Sequence, residues 1–148
     1  MSIKEIIQVL AGLVGSLGFA ILFNVRGKRL VAASGGGMLS WILYLLLIRF
    51  VDSEVIAYFI ASVVVSVYAE LMARLLKTPT TTFIITSLIP MIPGSSLYYT
   101  MISVFRLEDG EFLTKAAYTL ELAAALALGV VLVTTFARII EKTKKQQI

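Results

Sequence analysis

Long apolar blocks alternate with short polar clusters along this chain. Five blocks, at about 6–25, 30–48, 55–76, 83–105 and 116–137, each approach the roughly 20 residues that a helix needs to cross a bilayer. Charged residues collect between them, so the pattern predicts an all-α integral membrane protein with about five transmembrane helices. The blocks take up about three quarters of the 148 residues. One transmembrane domain over 1–148 is expected, with no room for a soluble one. The first block is expected to be retained. It is long, its Lys4-Glu5 prelude has no net charge, and no small-x-small cleavage site precedes Asn24 and Arg26.

Composition agrees and narrows the chemistry. Hydrophobic residues make up 59% and charged ones 15%, and mean hydropathy is +0.94, too little polar surface for a water-soluble globule of this size. The absence of cysteine removes disulfides and thiolate sites. The absence of histidine removes HExxH zinc sites, Ser-His and Cys-His dyads and imidazole proton relays. With no phosphate-cradling Gly-Lys-Ser/Thr loop, paired-carboxylate signature or metal-ligand cluster either, the chain is not expected to be an enzyme or to carry a cofactor or metal. Its net charge of +4 does not indicate nucleic acid, because the basic residues flank apolar spans as topology signals and headgroup anchors.

Excess Lys and Arg stay on the cytoplasmic side of a membrane. Lys4, Arg49, Arg106 and Lys115 fall on one side; Arg26, Lys28, Arg29, Arg74, Lys77, Arg138, Lys142, Lys144 and Lys145 fall on the other. The expected placement is a plasma or inner cell membrane, N-terminus outside and C-terminus in the cytoplasm. Glu5, Asp52, Glu54, Glu108, Asp109 and Glu111 all map outside, and the Lys142 to Gln146 run reads as a solvated cytoplasmic tail.

Within lipid, helices associate through small residues and hydrogen bonds. Gly12/Ser16 and Ala11/Gly15 on the first span, and Gly36/Ser40 within the Gly35-Gly36-Gly37 run on the second, mark such contact faces. Ala117, Glu121, Ala125 and Gly129 recur every fourth residue of the fifth span and predict one protein-facing stripe. The third span carries Ser62, Ser66, Glu70 and Arg74 at the same spacing. Glu70 and Arg74 stand one turn apart, as for an interfacial ion pair with Arg74 reaching outward; the other reading makes Ser62, Ser66 and Glu70 the wall of a polar path. Trp41 and Tyr44 lie inside the second span and read as packing residues.

The most informative segment runs from Leu88 to Tyr99. Pro90 and Pro93 lack the amides that would bond the carbonyls of Thr86 and Ile89, and Gly94 can adopt left-handed geometry, so a discontinuous fourth helix is expected. Broken helices at that depth line protein-covered or wet cavities and form many transporter sites. A second half-helix from about Leu97, capped by Ser95 or Ser96, would direct its amides toward the bilayer centre, where they suit a carboxylate. The freed carbonyls would instead suit an ammonium group or cation. Pro90, Pro93, Gly94, Ser95, Ser96, Tyr98 and Tyr99 are thus the candidate substrate-binding residues; the other reading is a proline kink that only shapes packing. Glu121, with no basic residue one turn away, and Glu70 are the candidate proton carriers; the other reading of Glu121 is a carboxylate in the second turn of its helix, favoured by the local dipole and close to outer water.

These motifs resemble the C-terminal half of the threonine/serine exporter superfamily, and most closely the stand-alone small subunit of its split, succinate/pyruvate-type form. The resemblance rests on Gly18 to Asn24 before a basic loop, the glycine-rich second span leading to Trp41-Ile42-Leu43-Tyr44, Ala73 to Pro79, Thr119 to Gly129, and above all Ile89-Pro90-Met91-Ile92-Pro93-Gly94-Ser95. Thr86-Ser87 departs from it, standing where the family pattern has Pro-Gly. The resemblance implies export of small carboxylate-bearing metabolites, threonine and serine or C4-dicarboxylates such as succinate, and a larger partner carrying the other membrane half. Five spans leave the termini on opposite sides, so a preceding five-span half would form an inverted pair with this one. Homo-oligomerisation through the same small-residue faces is the other option for them. The alternative function is a non-transporting accessory or assembly subunit of a larger membrane complex.

Overall fold

A computed structural model of the chain describes residues 2–105 and 109–146. Arg106 and Glu108, counted above for topology, lie outside the described residues. The helices are α1 (Ile3–Leu22), α2 (Lys28–Leu47), α3 (Glu54–Leu76), α4 (Thr80–Leu88), α5 (Gly94–Phe105) and α6 (Asp109–Gln146), with a 3-10 turn at Ile89–Met91 joining α4 toward α5. Among the described residues there is no strand. Four helices are long and apolar enough to cross a bilayer, and α4 with α5 passes as a fifth span bent by 58°. The chain is therefore an all-α, multi-pass membrane protein with four to five spans.

Local chemistry sets the ends of these helices. Ser2 and Glu5 form a reciprocal capping box at the start of α1, each side chain meeting the other's backbone amide. Near the other end of α1, Asn24 turns left-handed (φ 58°), and the amides of Asn24 and Val25 return to the carbonyls of Ile21 and Ala20 at 2.9 Å. That return stops the helix at Leu22 rather than at the expected Val25 and drives Val25 into the core beside Ala33, Phe83 and Ile84. α3 stops in the same way, with Lys77 at φ 48° and the Thr78 amide 3.0 Å from the Ala73 carbonyl, just before Pro79. The tail from Lys142, expected to be solvated, is helical through Gln146 and continues α6 well past the predicted end of its span.

Small residues decide the packing. Ser16 meets Gly37 where α1 crosses α2: a Cβ added at Gly37 would fall 1.8 Å from Ser16 Oγ and 3.2 Å from the Gly12 carbonyl oxygen. Gly36 faces Ser87 of α4, and Gly129 of α6 faces Ser62 of α3, with virtual Cβ contacts of 1.9 and 1.8 Å to the serine oxygens. Only glycine lets backbones approach this closely, which is how helices gain dispersion contacts without a hydrophobic effect to drive them together. α4 sits centrally against α1, α2 and α3, α6 packs along α3, and α5 packs mainly on α6.

The fourfold stripe on α6 divides. Ala125 and Gly129 are buried, whereas Ala117 and Glu121 are exposed. On α3 the serines of the alternative polar-path reading form a packed contact: Ser62 and Ser66 are fully buried, and the Ser62 hydroxyl donates to the Phe59 carbonyl at 2.8 Å.

Candidate functional site

The break lies between Leu88 and Gly94. Its first proline is absorbed into the 3-10 turn, with Ile89 still helical (φ −50°, ψ −46°). Before the second, Ile92 extends to φ −60°, ψ 124°, the conformation that steric conflict with a following proline ring favours. The Ile92 amide bonds the Ile89 carbonyl at 3.2 Å, so that carbonyl is occupied rather than free, and the Gly94 amide bonds the Ile92 carbonyl at 2.6 Å. Gly94 is not left-handed, since Gly27 alone among the described glycines has positive φ.

α5 starts at Gly94, three residues earlier than expected, and its first regular bond runs from the Leu97 amide to the Pro93 carbonyl at 3.0 Å. Ser95 and Ser96 therefore sit inside its first turn rather than before it as caps. Their own amides have no partner within the helix, as for the opening residues of any α-helix. Gly94 and Ser95 are exposed and Ser96 is half-buried, while Pro93 is buried. Pro90 lies against α1, its ring carbons 3.5 Å from a Cβ built at Gly12. Gly12 is near the midpoint of α1, which places the break at the middle depth of the bundle.

Beside Pro90 is a cleft of about 260 Å³ lined by Gln8, Gly12, Gly15, Trp41 and Ile89 among others. The Trp41 indole N–H has no hydrogen-bond partner among the described residues. Past the break, Tyr98 and Tyr99 are 61% and 59% exposed, with ring centroids 5.6 Å apart, and turn away from the rest of the chain. The hydroxyls of Thr100 and Thr119 meet at 3.1 Å and register α5 against α6. In that antiparallel register Glu121, two residues along from Thr119, comes level with about Tyr98, roughly 3 Å deeper than the threonine contact. Glu121 lines a shallow depression with Leu113, Thr114, Ala117 and Tyr118, all on α6 itself.

Glu70 belongs to a different part of the bundle. Arg74 Nη2 is 3.8 Å from Glu70 and 3.5 Å from Glu141, so one guanidinium serves two carboxylates and ties the C-terminal ends of α3 and α6 together. Glu70 and Arg74 close one end of an otherwise apolar groove between those helices.

The sequence did not point to a cluster at the opposite end. Tyr44 of α2 donates to Glu54 of α3 at 2.7 Å, and Tyr118 of α6 donates to the other oxygen of the same carboxylate. Tyr58 stacks edge-on against Tyr44 with centroids 5.2 Å apart. Near the same end, one Arg49 nitrogen reaches both Glu5 oxygens at 2.7 and 2.6 Å, joining α2 to α1. Tyrosines at the polar margins of apolar spans were the available signal, but the pairing depends on three helices far apart in sequence.

A family model described as "Threonine/Serine exporter, ThrE" matches residues 8–136. No curated protein and no solved structure matches the chain. The matched stretch takes in most of α1, all of α2 to α5 and most of α6, including the whole break.

Proposed function

Since the chain belongs to the threonine/serine exporter family, we propose that it is one half of a secondary transporter exporting small carboxylate-bearing metabolites. Threonine, serine and C4-dicarboxylates such as succinate are the candidate solutes, bound at the break in the fourth span. The observation that carries this reading is the start of α5: amides without partners inside the helix, in an exposed first turn at middle depth, beside two exposed tyrosine hydroxyls. A helix N-terminus attracts negative charge, and the attraction strengthens away from water.

The same exposure argues for a partner. Polar backbone at the depth of hydrocarbon is not stable against lipid. Gly94 and Ser95 therefore need a protein cover that this chain does not supply, and a larger subunit carrying the other membrane half would provide it around a shared wet chamber. The residue assignments are Pro90, Pro93 and Gly94 shaping the break, Ser95 and Ser96 presenting amides and hydroxyls, and Tyr98 and Tyr99 lining the chamber. Glu121, level with Tyr98 and unpaired with any base in the described chain, is the favoured proton carrier; Glu70, shared with Arg74, is the weaker candidate. The orientation follows from the basic residues, with the α2 N-terminus and α6 C-terminus in the cytoplasm of the plasma or inner membrane.

Reconstitution into liposomes tests this. The chain would be purified with the product of a neighbouring gene, loaded with labelled threonine, serine or succinate, and efflux followed under an imposed proton gradient. Pro93→Ala and Ser95→Ala should change solute affinity in a complex that still assembles, and Glu121→Gln should abolish acceleration by the gradient. Impaired assembly with unchanged affinity would instead mark an accessory subunit. Unaided transport by this chain would remove the need for a larger partner.

A further inference from the structure

At the end of the bundle assigned to the cytoplasm, a cavity of about 360 Å³ opens between the α1–α2 and α3–α4 turns. That volume is within the roughly 300–1,000 Å³ of small-molecule pockets. Its polar lining is one-sided in charge: Asn24 and Arg26 from the first turn with Arg29 at the start of α2, and Thr78 from the second turn with Thr81 and Thr82 at the start of α4. Neither arginine forms a salt bridge among the described residues. Arg26 Nε is held by the Asn24 side chain at 3.0 Å, which orients the guanidinium and leaves its terminal nitrogens available.

The helix ends add to the imbalance. α2 begins with Lys28 and Arg29, has no acidic residue in its first turn and no side-chain cap. Cations at a helix N-terminus oppose the macrodipole, so this start is electrostatically unfavourable by itself. α4 begins at Thr80, also without an acidic first turn or side-chain cap. Two positive helix ends and two guanidiniums thus share one cavity with no carboxylate in its lining. Topology signalling requires basic residues on this side but not their convergence on a concave surface, and an anion relieves the whole set at once. Both walls are braced, since the left-handed turns at Asn24 and Lys77 are locked by bonds back into α1 and α3.

We propose that this cavity is a carboxylate-binding vestibule: Arg29 and Arg26 engage the carboxylate of a cytoplasmic solute, the threonine hydroxyls accept or donate to its polar groups, and α4 leads from it to the break. Thr81 and Pro90 are nine residues apart along that segment, so vestibule and break lie about 13 Å apart. The proposal rests on the exporter reading for its solute and deepens it by adding a second, cytoplasmic station.

The test uses the transporter as recovered from membranes, in nanodiscs of phosphatidylcholine only, titrated calorimetrically with succinate, threonine and serine. Arg29→Gln should weaken binding about tenfold, the loss of one charge-assisted hydrogen bond. Arg29→Lys should recover part of it, and Arg138→Gln, a cytoplasmic charge elsewhere, should change nothing. In oriented vesicles Arg29→Gln should raise KM from the cytoplasmic face and leave KM from the outer face unaltered. Wild-type affinity in Arg29→Gln, or no wild-type binding of any of the three solutes, would overturn the vestibule even if transport proceeds. An effect of Arg29→Gln seen only in phosphatidylglycerol vesicles would overturn it in favour of a lipid phosphate. Arg29-dependent binding without transport would keep the vestibule and overturn the exporter reading.

Discussion

The crossing of α1 and α2 offers a perturbation whose size follows directly from coordinates. Replacing Gly37 with alanine puts a methyl group 2.4 Å from Ser16 Cβ, 1.8 Å from its Oγ and 3.2 Å from the Gly12 carbonyl oxygen. The hydroxyl can rotate away, but Ser16 Cβ is fixed to its backbone. Restoring ordinary contact therefore requires the two helices to separate by about 1 Å, forfeiting much of the dispersion energy at the crossing. Overpacking of this kind costs about 1–3 kcal/mol. Gly15 supplies the control, because a Cβ there meets nothing within 4 Å; Gly15→Ala should be neutral or gain up to about 1 kcal/mol of helix propensity.

Unfolding in a mild detergent titrated with sodium dodecyl sulfate measures both variants, with fluorescence of Trp41, the chain's single tryptophan, one turn beyond Gly37, as the probe. Ser16→Gly in the Gly37→Ala background removes both serine atoms, the two nearest to the new methyl, and keeps the 3.2 Å approach to Gly12. A double-mutant cycle should then give a favourable coupling of at least about 1 kcal/mol. Gly37→Ala as stable as Gly15→Ala, or no rescue by Ser16→Gly, would refute close backbone approach as the organising contact. The crossing also seats Pro90 against Gly12, so a destabilised Gly37→Ala should widen the cleft beside Trp41 and redshift its emission.

The α3–α6 contact makes a parallel case: Gly129→Ala, with Ser62 Oγ at 1.8 Å and the Phe59 carbonyl at 3.1 Å, should lose about 1–3 kcal/mol in the same titration. Gly94→Ala should stay within about 1 kcal/mol of wild type, since Gly94 has neither positive φ nor a neighbour within 4 Å of a new Cβ; a collapse would show that its conformational freedom matters after all. Glu54→Gln leaves two tyrosine hydroxyls with one acceptor oxygen between them and should cost about 1–3 kcal/mol, visible as faster hydrogen exchange at the adjoining ends of α2 and α6. Arg74→Gln should cost no more than about 1 kcal/mol, because its side chain is 47% exposed; a larger loss would mean that its link to Glu70 and Glu141 holds the bundle together.

The spans were legible because bilayer depth imposes a length that composition cannot disguise. Their ends were less so. Asn24 and Lys77 terminate α1 and α3 by turning left-handed, and neither Asn nor Lys announces this as glycine would. Beyond the membrane nothing forces a helix to stop, so α6 continues through its basic, helix-favouring tail. The stripe from Ala117 to Gly129 divides within this chain for a geometric reason. Each four-residue step advances a side chain about 40° around the axis, so over three steps the face rotates by about a third of a turn. Ala125 and Gly129 consequently meet α3 while Ala117 and Glu121 point elsewhere.

The break was legible in its existence and not in its detail. Missing amides at Pro90 and Pro93 are a local fact, and they bend the segment wherever it sits. Which carbonyl stays unpaired depends on the turn the segment adopts and not on the prolines alone. The Ile92 amide reclaims Ile89, and Pro93 serves as the residue before the helix, so α5 starts at Gly94 and takes in the two serines read as caps. The remaining polar groupings require tertiary contacts that no spacing encodes: Glu54 is joined by tyrosines 10 residues before it and 64 after it. Arg26 and Arg29 face threonines about fifty positions along the chain. Both groupings lie at the ends of helices, where side chains from separate spans converge and water and lipid headgroups make charge affordable. The hydrophobic pattern constrains the chain through the interior of the membrane. At its margins, where solute enters and leaves, that pattern is silent, and chemistry must be read from the assembled bundle.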